Sequence, residues 1–160
     1  MGNKEDLHKL KFSEYVAPIA MANTAAFDAI SCMDTAGYES NMFVIYTGEL
    51  GSTDAVVKVY ESNTAGTQSA SSATQCAPED IIFAVGDNDT TALAEYVKVA
   101  TTSGTLTLAN TDDSRVFCFA YIGRKRYIRI HVTSTVSGII SVLGVQGHFR
   151  YQGRAGLHTA

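Results

Sequence analysis

Apolar and polar residues alternate over much of the chain, with the period of a strand that buries one face. Tyr127 to Thr133 shows it most plainly: Ile128, Ile130 and Val132 share one face, and Tyr127, Arg129, His131 and Thr133 share the other. The first set is expected in a core and the second facing away from it. Further strands are predicted at 25–32, 42–47, 55–60, 81–85, 95–101, 105–109, 115–122 and 138–145. A short helix at 91–96 is the one competing element, because Ile, Val, Thr and Tyr elsewhere favour strands.

Gly123-Arg124-Lys125-Arg126 separates two of these strands, and Thr135-Val136-Ser137-Gly138 separates the second from a third. Such short polar connections read as turns, so residues 115–145 are predicted to form a three-stranded antiparallel meander. Residues 62–77 are rich in Ser, Thr, Ala, Gly and Gln without periodicity and read as a long exposed loop. Eight or nine short strands at this spacing predict an all-β, antiparallel sandwich or barrel. Residues 1–24 lack a clear period and are expected as an extended arm, either a strand or loop covering the domain's own core or an arm laid on a neighbouring subunit. A sandwich at 25–150 and a tail at 151–160 complete the division.

Composition agrees with one globular domain: 160 residues, 46% hydrophobic and 18% charged. The net charge of −4 hides a sharper segregation. Residues 25–114 hold two basic and thirteen acidic side chains, 2 − 13 = −11, while residues 115–160 hold seven basic ones and no carboxylate, +7. Two arrangements satisfy this pattern: solvated loops with internal ion pairs, or an acidic surface on one subunit meeting a basic tip on another. Arg124, Lys125, Arg126 and Arg129, with Tyr121 and Tyr127 beside them, also have the mixed character of a single-strand nucleic-acid binder. Four cations on one hairpin are few, and the acidic first two thirds would repel phosphate, so nucleic acid is disfavoured.

Motifs with strong chemistry are missing. The chain has no glycine-rich phosphate loop, no His-Glu-x-x-His and no Gly-x-Ser-x-Gly elbow. His8, His131, His148 and His158 have no carboxylate within residues 115–160 to complete a triad around His131 or His148. Asp87-Asn88-Asp89 is followed by Thr91 and Ala92 where a calcium loop needs a ligand and glycine, so a polar turn is expected. Cys32, Cys76 and Cys118 are odd in number and widely spaced, predicting free, reduced thiols rather than disulfides or a zinc site. The segment MGNKEDLHKLKF carries five charges and no apolar run, which predicts synthesis in the cytoplasm with neither signal nor membrane anchor, and Asp6 breaks a myristoylation motif. No catalytic residue, cofactor or metal site is expected.

Three stretches carry a family resemblance: Met33-Asp-Thr-Ala-Gly-Tyr-Glu-Ser-Asn-Met-Phe-Val-Ile-Tyr46, Ala120-Tyr-Ile-Gly-Arg-Lys-Arg-Tyr-Ile-Arg-Ile-His-Val132, and Ile140-Ser-Val-Leu-Gly-Val-Gln-Gly-His148. They resemble small tailed-bacteriophage virion proteins of the capsid cement, or decoration, type. In that family an Asp-Thr-x-Gly-Tyr turn opens a strand, and a Gly-basic-Tyr-x-Arg hairpin leads to a last strand ending Val-Leu-Gly. The resemblance covers residues 25–150 and not the tail.

It implies a jelly-roll-like sandwich without an active site. Such a protein binds the outside of an icosahedral shell, often as a dimer or trimer, and clamps major capsid protein subunits. Residues Arg124, Lys125, Arg126, Tyr127 and Arg129 are the candidates for the interface with capsid or subunit. A minor tail or neck component and a carbohydrate-binding module are the alternatives. The latter is weakened by the absence of Trp, although eight Tyr are present.

Overall fold

The computed structural model describes residues 10–21, 26–28, 32–52, 54–65, 74–86, 97–98, 105–111, 113–134 and 138–149. Among them twelve strands form two sheets: β1 (Lys11–Met21), β2 (Ala26–Asp28), β3 (Met33–Asp34), β4 (Tyr38–Thr47), β5 (Ala55–Ser62), β6 (Thr74–Gln75), β7 (Ile81–Gly86), β8 (Val97–Lys98), β9 (Thr105–Leu108), β10 (Val116–Tyr121), β11 (Tyr127–Ser134) and β12 (Gly138–Phe149). Eight of these are four residues or longer, so the predicted all-β antiparallel sandwich is what the chain forms. The possible helix at 91–96 and the Asp87-Asn88-Asp89 turn lie outside the described residues.

One sheet runs β1-β12-β4-β10-β7-β8 and the other β2-β11-β5-β6, with β3 also paired to β11 and β9 to β5. The first and last strands therefore lie side by side, and the chain passes repeatedly from one sheet to the other, as in a jelly roll. This corrects the meander predicted at 115–145. Strand β10 pairs with β4 and β7, β11 pairs with β5, β2 and β3, and β12 pairs with β1 and β4. The turn at 123–126 is thus an arch between sheets. Turn length sets how far a chain can travel, but the partner is chosen by which faces share a core.

That core lies between the sheets. Phe43 and Ile45 on β4, Phe117 and Phe119 on β10, and Ile140 and Val142 on β12 meet Val57 and Val59 on β5 and Ile128, Ile130 and Val132 on β11. Phe83 joins them, its ring centroid 5.3 Å from Phe119 and 6.1 Å from Phe117. The register read for β11 holds: Ile128, Ile130 and Val132 are fully buried. Its opposite face is less open than expected. His131 is also buried, edge-on to Tyr60 at 5.8 Å, and Arg129 is half-buried.

Two segments are resolved further than their sequence reading. Of the two alternatives for the N-terminal segment the structure shows the first: residues 11–21 are an edge strand of the first sheet, paired with β12. Register shifts between Glu14 and Val16 and between Val16 and Ile19 interrupt the alternation that would have revealed it. Pro18 is tolerated there because an edge strand has one free hydrogen-bonding side. Within the loop expected at 62–77, Thr74 and Gln75 pair with β5. All three cysteines are free thiols.

An Ile130→Asp variant should lose the fold, because an unpaired carboxylate at this position has neither water nor a partner; the cost is on the order of 5 kcal/mol. Circular dichroism and thermal melting check this. Native spectra with an unchanged Tm would mean that the face assignment is wrong.

Candidate functional site

The basic arch at 122–126 and the β3–β4 turn meet at one end of the sandwich. In the turn, Asp34 Oδ1 accepts the Ala36 amide at 2.9 Å, and the Thr35 carbonyl accepts the Tyr38 amide at 3.2 Å. Between them Gly37 takes φ +86°, a left-handed conformation that costs glycine nothing. Thr35 then ties turn to arch. Its amide donates to the Arg126 carbonyl at 2.7 Å, and its hydroxyl lies 2.9 Å from that oxygen and 3.1 Å from the Lys125 carbonyl. From behind, buried Gln146 donates through Nε2 to the Asp34 carbonyl at 2.7 Å and to Asn41 Oδ1 at 2.8 Å.

Tyr121 anchors the arch to the core. Its hydroxyl donates to Glu61 Oε2 of the opposite sheet at 2.6 Å and accepts the Lys125 amide at 2.8 Å. Burial, followed by the bond to Glu61, pushes the phenol far above its ordinary pKa, so it stays a donor. Cys76 sits against the same carboxylate, its thiol also pushed up by burial and by the Glu61 charge. Gly123 is required by close approach, since a Cβ there would lie 2.5 Å from the Tyr121 ring.

The five sequence-predicted interface residues have different fates. Arg126 binds Asp34 in a fork, Nε to Oδ1 at 3.1 Å and Nη2 to Oδ2 at 3.0 Å, and lies over the Tyr127 ring at 5.1 Å. It is thereby committed to its own chain. Tyr127 is half-buried beneath it, and Arg129 points to the outer face of the second sheet, outside the cleft at the tip. Arg124 and Lys125 are exposed and line a cleft of about 480 Å³ between the arch and the β3–β4 turn, with Glu39 on the turn side. Asp34, Thr35, Glu61 and Gln146 are the site residues that sequence reasoning missed. The Asp-Thr-x-Gly-Tyr motif pointed to the first two, but nothing local marks Glu61 or Gln146.

Chemically, the tip presents two cations held on a rigid loop. Among the described residues no group of three or more His, Cys, Asp or Glu could hold a metal ion, and no helix is long and apolar enough to cross a membrane.

No family model matches the chain, and no curated protein matches it either. Solved structures similar to it include the crystal structure of PirA, at 11% identity and a TM-score of 0.34, covering 85% of this chain and 95% of that one. Infectious bursal disease virus, Gx strain, follows at 9% identity and TM-score 0.28, and infectious bursal virus-derived T=1 particles at 7% and 0.26. In both, 86% of this chain matches 39% of the other. Scores this low define no relationship.

The Arg126 guanidinium beside Asp34, chiefly through its hydrogen bonds, holds that carboxyl below its ordinary value. Its folded pKa being depressed, the pair contributes to the tip above the ordinary Asp pKa and is lost as pH falls through the folded one. In an NMR titration, Asp34 should titrate below the normal carboxylate range in the wild type, and Arg126→Ala should return it toward about 3.9. An unchanged value would show that the fork does not persist in solution.

Proposed function

We propose that the chain is a non-enzymatic structural protein of a tailed-bacteriophage virion. On this reading it is a cement or decoration protein that seats on the outer capsid and stabilises contacts between major capsid protein subunits. One observation carries the reading. The stretches 33–46, 120–132 and 140–148, separate in sequence, fold as the paired strands β12 and β4 of one sheet, the paired strands β3 and β11 of the other, and the tip where the β3–β4 turn meets the arch. The motifs that resemble cement proteins thus belong to one sandwich and meet at its tip, where Thr35 bonds to Arg126 and Gln146 to Asp34.

At that end the two exposed cations, Arg124 and Lys125, are the docking groups, aimed at carboxylates of the coat or of a neighbouring subunit. Arg126 shapes the loop that carries them. The protein acts as a homo-oligomer, uses no cofactor, binds no nucleic acid, and reaches the capsid surface from the host cytoplasm.

The test replaces Arg124 and Lys125 together with Ala and leaves Arg126 alone, since its loss would disturb the tip itself. Occupancy of purified capsids should fall at least about tenfold near 0.15 M salt, with melting unchanged. Wild-type occupancy should drop as the Debye length shortens from about 8 Å toward about 3 Å. Equal occupancy and equal salt response would make the cations a solvated turn and remove the docking claim.

A further inference from the structure

The outer faces of the two sheets have opposite character. On the second sheet, Lys58, Arg129, His131, Thr107 and Thr133 alternate with the core residues. On the first, the cross-strand pairs that face away from the core are mostly apolar across the middle of the sheet, with Glu14 of β1 and Lys98 of β8 paired in at its two edges. One row runs Phe12, Val145, Met42, Ala120, Ile82 across β1, β12, β4, β10 and β7. The next holds Leu143, Val44 and Cys118 in register, and a third places Tyr46 between Ser141 and Val116. Phe12 is 56% exposed, Tyr46 48%, Ile139 45%, Leu143 38% and Val116 37%. Isolated exposed apolar residues need no explanation, but a continuous sheet face of them does.

We infer that this face is the contact of a two-fold dimer, occupied by the same face of a second copy. Two observations select that occupant. The described side chains at the centre of the face carry no charge, so it needs no partner of opposite charge, and an apolar sheet face can pack on its own copy about a two-fold axis. Its size also suffices. Five strands about 4.8 Å apart and the span from Ile139 to Val145 at about 3.4 Å per residue give about 500 Å² per copy, about 1,000 Å² for the pair. That reaches the lower bound of about 1,000 Å² for a specific interface. The packing is sheet on sheet at about 10 Å, repeating outside the sandwich what the core does inside it. The inference supplies a contact for the homo-oligomer proposed above and rests on nothing at the tip, so the dimer and the capsid-docking claim can each fail alone.

Light scattering and sedimentation equilibrium of the full chain test it. Between about 1 and 100 µM the wild type should show about 34 kDa, twice its 17.1 kDa. Val44→Lys and Leu143→Lys should each raise the dissociation constant at least about 100-fold, because the two-fold axis would bury two unpaired ammonium groups. Their circular dichroism should stay native, and the Arg124, Lys125 double-Ala variant should remain dimeric. Should a lysine variant fail to fold, maleimide labelling of wild-type Cys118 gives a second reading, slowing at least about tenfold as concentration crosses the dissociation constant. A mass of one or three chains throughout, folded lysine variants that stay dimeric, or labelling indifferent to concentration would each overturn the inference.

Discussion

The Tyr121 hydroxyl joins three parts of the chain that the sandwich alone would leave separate. It reaches from β10 to Glu61 on the opposite sheet and takes the Lys125 amide of the arch. Glu61 stands on the core-facing side of β5, in line with Val57 and Val59, where a carboxylate without a donor would be costly. The phenol satisfies it and in the same stroke fixes where the chain turns between sheets. Gly123 lies under the ring because the arch must pass so close to it. The placement of Arg124 and Lys125 follows from that path.

Around this bond the cations divide their labour. Arg126 is folded back onto Asp34 and Tyr127, which completes the tip, while its two neighbours remain open to solvent. The acidic and basic halves of the sequence are therefore partly reconciled within one molecule, through Asp34 and Arg126, and partly left exposed at the tip in Arg124 and Lys125. The two outer sheet faces divide in a similar way: the β11 side is polar and the β4 side apolar. A protein with a charged tip and an apolar flank has two distinct ways of meeting other surfaces, one sensitive to salt and one not.

Much of the fold was legible because period-two alternation is strong where a strand has one buried face, as on β11 and β4. Strand β1 was legible only as one of two alternatives, since Pro18 and two register shifts erase the period. Pairing was illegible for a different reason: β10, β11 and β12 follow one another with few residues between them, yet the core demands that they alternate between sheets. The tip was half legible. Its basic residues stand together in the sequence, but the distinction between a cation left exposed and one consumed internally depends on Asp34, ninety-two positions from Arg126. Glu61 looked like any surface carboxylate at the end of a strand, and only the opposite sheet reveals its role.

A double-mutant cycle on Tyr121→Phe and Glu61→Gln, read by urea denaturation together with hydrogen exchange at the Lys125 amide, tests the central bond directly. If it holds the two sheets and the arch together, the two substitutions should couple by about 1.5–3 kcal/mol, and Tyr121→Phe should strip protection from the Lys125 amide. Effects that add to within about 0.5 kcal/mol, with that amide still protected, would contradict the account.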